Sequence, residues 1–198
     1  MNDRWRAVVE AGHGGGDDDV AIARAAMTDT DDAVRELALG ALDRLGHLTD
    51  DDLVEALGDH AAPVRRRAVE LIARRPSIDL LSALDDTDPI VVEHAAWACG
   101  EHEVVEDLIL ERLIVLAGSS DVALVREAAV AALGALGDVR GLPAIIAGCS
   151  DQPAVRRRAV LALAPFEGDQ VEATIEQALV DRDWQVRQAA EDLRRAAT

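Results

Sequence analysis

The chain has no lysine and no tyrosine, and its aromatic residues, three tryptophans and one phenylalanine, make up 2% of 198 positions. With 49% hydrophobic residues, its core must therefore be assembled from alanine, valine, leucine and isoleucine, side chains small enough for close helix packing. The two cysteines, Cys99 and Cys149, form neither a CxxC pair nor a zinc-ligand spacing, which excludes a disulfide framework and argues against a structural metal. No apolar run approaches the roughly 18 residues of a membrane span, and MNDRWRAVVEAG carries no apolar stretch behind its charges. The expected compartment is the cytoplasm. Positive charge is also scarce: 20 basic residues, all arginine, face 38 acidic ones, for a net charge of −18. Such a surface repels phosphate backbones and anionic lipid, so neither nucleic acid nor membrane is an expected partner.

What the chain does have is repetition. A valine-centred phrase returns at Val34, Val64, Val91, Val125, Val155 and Val186, in steps of 30, 27, 34, 30 and 31 residues. A drifting period of this size marks stacked supersecondary units joined by adjustable turns. Counting from each valine, positions V, V+4, V+7 and V+8 are apolar, as in Val64, Ala68, Leu71, Ile72 and in Val155, Ala159, Ala162, Leu163. That spacing is one stripe of an α-helix. A shorter apolar-periodic segment precedes each phrase, at 19–27, 52–57, 78–84, 104–116, 142–147 and 171–179. Each repeat thus reads as helix A, turn, helix B.

Turn chemistry agrees with this reading. Asp29, Asp59, Asp86, Ser120, Ser150 and Asp181 stand five residues before their valines, where a side chain can accept from N–H groups left free at a helix start. Pro63, Pro89 and Pro153 fall at the entries of the B helices, where a missing N–H costs little. Gly46, Gly100, Gly137 and Gly168 are expected to terminate B helices. The run from His13 to Asp19 reads as a flexible joint, giving an N-terminal piece at 1–16 and a repeat array at 17–197.

Helix pairs of this length and turn resemble the HEAT-repeat family, in particular its short HEAT-like, phycobilin-lyase-type variety. The resemblance spans about residues 17–197 and implies an all-α fold, a right-handed α-solenoid of about six helix pairs. Its most specific feature is a turn acid followed six residues later by arginine: Asp29 with Arg35, Asp59 with Arg65, Asp181 with Arg187. In the family these residues form a ladder, the acid of one repeat meeting the arginine of its neighbour. Arg126 and Arg156 keep the arginine position although serine replaces the acid, with Asp121 and Asp151 one residue late. The third repeat keeps Asp86 but places Val92 where arginine is expected.

Projected at 100° per residue, V+2, V+3 and V+6 of each B helix face away from the buried stripe. In the family this face lines a concave groove, so the candidate partner-binding residues are Trp97, His94, Glu93, Arg66, Arg67, Arg157 and Arg158. Trp97 reads either as an anchor on the groove floor or as a ring packed on the next helix. The arginine pairs read either as receptors for carboxylate or phosphate or as charges neutralised by Glu70, Glu93 and Glu127.

Glu93-His94 and His102-Glu103 resemble the His-Glu pairs by which the HEAT-like deoxyhypusine hydroxylase holds iron, but only Glu93-His94 lies at a comparable helix position, and its order is reversed. One histidine and one acid do not fill a coordination sphere, so no metal and no cofactor are expected. Cys99 lies on a buried stripe, the Gly14–Gly16 run lacks the Lys-Ser/Thr of a phosphate loop, and no catalytic constellation emerges. The expectation is a non-enzymatic scaffold that holds a protein or peptide in its groove. The alternative, implied by the resemblance alone, is a bilin-lyase-like enzyme or subunit in which the arginines would meet tetrapyrrole propionates.

Overall fold

The computed structural model describes residues 3–196, and every regular element among them is helical. The chain divides into two compact units, residues 1–79 and 80–198.

In the first unit the helices are α1 (Asp3–Ala11), α2 (Asp17–Ala26), α3 (Asp32–Leu45), α4 (Asp50–Leu57) and α5 (Ala62–Ile72). Helices α2/α3 and α4/α5 are the two expected A/B pairs, with α3 stacked on α5. Helix α1 packs on both α2 and α3, burying Val8 and Ala11. The second unit holds four pairs: α6 (Leu81–Leu84) with α7 (Pro89–Gly100), α8 (Asp107–Ser119) with α9 (Ala123–Leu136), α10 (Leu142–Gly148) with α11 (Pro153–Ala162), and α12 (Asp169–Ala178) with α13 (Trp184–Ala196). Its B helices stack in chain order, α7 on α9 on α11 on α13.

Helical periodicity accounts for the core. Val64, Ala68, Leu71 and Ile72 are buried, as are Val155, Ala159, Ala162 and Leu163. Small residues let the B helices approach closely: a Cβ added to Gly134 of α9 would stand 2.6 Å from Ala162 Cβ and 2.7 Å from its Cα.

Several local expectations need correction. The A helix expected over 78–84 is only Leu81–Leu84. Pro76 supplies no backbone N–H, and Ile78 is buried from a turn in which its N–H donates to the Arg75 carbonyl. The A helix expected over 104–116 runs Asp107–Ser119 instead, leaving Val104 81% exposed ahead of it. Gly46 and Gly137 do end their helices, with φ of 72° and 65°. Gly100 does not: it is the last residue of α7, and its missing side chain admits Ala132, whose Cα would lie 3.1 Å from an added Cβ. Gly168 does not either; with φ of 119° it precedes α12 as its N-cap.

The Gly-rich run is a hydrogen-bonded turn and not a loose joint, since Asp19 Oδ2 accepts from the N–H groups of Gly15 and Gly16 at 2.9 and 3.0 Å. The turn aspartates act one step before the helix: Asp29, Asp59, Asp86 and Asp181 each accept from the N–H two residues on, at 2.7–2.8 Å.

Candidate partner-binding face and arginine ladder

Within each unit the turns are tied by guanidinium–carboxylate pairs. Arg35 donates from Nε and Nη2 to both oxygens of Asp59, at 2.7 and 2.8 Å, while its Nη1 donates to the Asp29 carbonyl at 2.7 Å. One side chain thus closes its own turn and grips the next. The same fork recurs from Arg126 to Asp151 at 2.6 and 2.7 Å and from Arg156 to Asp181 at 2.9 and 2.8 Å. The late acid Asp151 therefore replaces Ser150 as a rung. Hydrogen bonds from Arg35, Arg126 and Arg156 hold the carboxyls of Asp59, Asp151 and Asp181 below the usual aspartate range.

The other arginines of the pattern also bond within their own turns. Arg65 donates to the Asp59 carbonyl and Arg187 to the Asp181 carbonyl, each closing its own turn at 2.8 and 2.7 Å. Asp29 receives Arg4 Nη1 at 2.7 Å, so α1 supplies the first guanidinium although it belongs to no repeat. In the second unit no rung links α7 to the following turn, because Val92 is apolar and buried. A pocket of about 410 Å³ opens there, bordered by Val92, Asp86, Thr87, Arg112, Ser120 and Asp121.

The outward face of the B helices carries the other predicted residues. In the first unit Arg66 meets Glu36 at 3.1 Å and Arg67 meets Glu70 at 2.9 Å, so this pair is engaged with neighbouring acids. Glu36, Leu37, Gly40, Arg67 and Glu70 border a shallow pocket of about 270 Å³ with Trp5 at its edge. Residue Trp5 was not singled out from the sequence, since it lies before the first repeat.

In the second unit the same face of α7 and α9, with Arg158 of α11, forms a cleft of about 470 Å³. Trp97 is 44% exposed and lines it, which settles its orientation toward the face and away from the core. Ala128, Ala131, Ala132 and Ala135 line it with Leu124, and Glu93, Glu101 and Glu127 add three carboxylates. Glu93 contacts His94 Nδ1 at 2.6 Å, and Arg158 Nε stands 3.7 Å from Glu127. His94 does not line the cleft; its Nδ1 lies 2.9 Å from the Ile90 carbonyl. Arg157 does not line it either.

Leu124, Glu101 and Ala135 escaped the projection because it stopped at V+2, V+3 and V+6. Extending the stripe by one turn each way, 124–128–131–135 on α9 and 93–97–101 on α7, would have reached them.

Among the described residues no group of three or more His, Cys, Asp or Glu is placed to hold a metal ion. Cys99 is buried in α7, and burial pushes the Cys149 thiol up to about 12. No described helix is long and apolar enough to cross a membrane.

Stacked helix pairs, forked ladder arginines and a B-helix cleft define the class: a helical-repeat array of the HEAT and armadillo type. Residues 77–164 match the family model for HEAT repeats. Among solved structures, a designed armadillo repeat protein in complex with the peptide (KR)4 aligns over 100% of both chains at 18% identity and a TM-score of 0.59. The Escherichia coli protein YibA aligns over 96% of this chain and 73% of its own, at 18% identity and a TM-score of 0.63. The complex of CpcE and CpcF of phycocyanin lyase from Nostoc sp. PCC7120 contains a chain matched at 21% identity and a TM-score of 0.61, over 86% of this chain and 74% of that one. At these identities the likeness is one of fold. No curated protein matches the sequence.

Proposed function

We propose that this protein is a non-catalytic interaction module that holds a protein or peptide partner on the outward face of its B helices. The observation that carries this reading is Trp97, a large amphipathic ring left 44% exposed above alanines in a cleft of about 470 Å³. An aromatic side chain in a concave, partly apolar site is the usual anchor of a protein interface. Repeat arrays present large surfaces per residue of chain, which suits binding more than chemistry. A protein of the same fold, the designed armadillo array, holds a peptide. The bilin-lyase-like alternative finds less support in the cleft, where a single arginine, Arg158, stands among three glutamates that would repel propionates.

The test is copurification of tagged protein from its native host, with Trp97→Ala run in parallel and its fold checked by circular dichroism. Loss of a stoichiometric partner from the variant is the expected result. Retention of every partner by Trp97→Ala would overturn the assignment of this face.

A further inference from the structure

We infer that the Trp97 cleft accepts an arginine side chain from a basic segment of the partner, its guanidinium laid on the indole and hydrogen-bonded by Glu93, Glu101 and Glu127. This rests on the proposed binding role and names the chemistry of what is bound.

Three observations lead to it. First, the cleft combines an exposed indole with an alanine floor, so a flat group can reach the ring. An indole face attracts cations through its quadrupole, and a guanidinium, planar and weakly hydrated, stacks there better than an ammonium. Second, three carboxylates border the cleft against one arginine, an excess of negative charge at its mouth and walls. Third, the internal cation leaves Glu127 incompletely satisfied: Arg158 Nε is 3.7 Å from it, beyond hydrogen-bond reach, whereas the ladder arginines sit at 2.6–2.9 Å from their acids; Glu93 has only the neighbouring His94 Nδ1, at 2.6 Å. Arg158 is thus a weak occupant of a place that an incoming guanidinium can take with better geometry. The net charge of −18 draws a basic segment toward the molecule, while the indole and the carboxylates select where it settles.

The experiment measures anisotropy of fluorescein-labelled, end-capped hexa-arginine on the full chain at about 0.15 M salt, with hexalysine and hexaglutamate as parallel probes. Hexa-arginine should bind, hexalysine more weakly, and hexaglutamate not at all. Trp97→Ala and Glu93→Gln/Glu127→Gln should each weaken hexa-arginine binding by about tenfold. The matched pair Glu111→Gln/Glu172→Gln removes equal charge from exposed positions outside the cleft and should change it by less than about twofold. Arg158→Ala should tighten binding more than Arg157→Ala, because only the former removes a competing cation from the cleft.

Equal weakening by the two glutamine pairs would overturn the inference, reducing it to general attraction by an acidic chain. Equal affinity for hexalysine would overturn the guanidinium, and binding of hexaglutamate would overturn the charge sign. Self-association abolished by Trp97→Ala, without hexa-arginine binding, would assign the cleft to a second copy and overturn it too. A host partner lost from Trp97→Ala but kept by Glu93→Gln/Glu127→Gln would defeat this inference while the interaction module stands; a partner kept by both would defeat the module itself.

Discussion

The guanidinium of Arg35 grips both carboxylate oxygens of Asp59 at 2.7 and 2.8 Å, joining the B helix of one repeat to the A–B turn of the next. Their side chains are only 7% and 14% exposed, so this is a largely desolvated pair whose partners depend on each other. Removing one charge from such a pair leaves the other buried without compensation, which costs more than the pair contributes as a whole. Asp59→Asn is therefore expected to lower stability by roughly 3 kcal/mol. In a domain of this size that corresponds to a fall in Tm of about 10 °C. Arg35→Met/Asp59→Leu should recover much of the loss; thermal melts of the three variants check this, and a double variant no better than Asp59→Asn would contradict it.

Acid should weaken the ladder in a defined direction. Asp59, Asp151 and Asp181 have folded pKa values depressed by their arginines, so the unfolded chain takes up protons first as pH falls. Their stabilisation is present above about pH 3.9, the ordinary aspartate value, and is lost as pH drops through the lower folded values. Protonation of other acids also relieves repulsion among 38 carboxylates, so the informative quantity is a difference between proteins. Between pH 5 and pH 3 the urea midpoint of the wild type should fall further than that of Arg35→Met/Asp59→Leu. Parallel curves would show that the rung contributes nothing to acid sensitivity.

The gap beside Val92 should be fillable. Its pocket of about 410 Å³ lies between the turn at Asp86 and the turn at Ser120, where neighbouring repeats place a forked arginine. Val92→Arg puts a cation beside Asp121, which borders the pocket and follows Ser120 as the rung acid Asp151 follows Ser150. The new arginine and Asp121 should form the missing rung, giving a favourable coupling of about 1–3 kcal/mol in a double-mutant cycle of Val92→Arg and Asp121→Asn read by urea unfolding. Zero coupling would show that this turn cannot adopt the ladder geometry.

Two helical glycines should respond oppositely to alanine. A Cβ on Gly134 would lie within 2.6–2.9 Å of three Ala162 atoms, two of them backbone, so Gly134→Ala must push α9 from α11 at a cost of about 2–3 kcal/mol. Gly118, exposed near the end of α8, has open space around an added Cβ, and Gly118→Ala should gain about 0.5–1 kcal/mol through helix propensity. Chemical unfolding midpoints moving the same way for both would contradict the packing described.

Much of the fold is legible in the chain because it rests on local periodicity. Val64, Ala68, Leu71 and Ile72 are spaced to share one helical face whatever surrounds them, and they are buried together. The arginine of the ladder was legible for the same reason: a fixed offset from the turn aspartate recurs with each repeat. Less legible was Arg4, which reaches Asp29 from a helix outside the repeats, and the substitution of Asp151 for Ser150 as a rung. Ile78 shows the limit of an apolar pattern, since its burial is reached from a turn.

What the sequence by itself determined is the repeating helix pair, its buried stripe and the offset that makes a ladder possible, all consequences of spacing along one chain. Only the tertiary structure decided that Trp97 is turned outward, that Leu124 and Glu101 share its cleft, that Arg158 stands too far from Glu127 to satisfy it, and that a pocket lies beside Val92. Those facts depend on how closely α7, α9 and α11 approach, a distance set by the combined volumes of side chains from separate repeats, and no single segment encodes it.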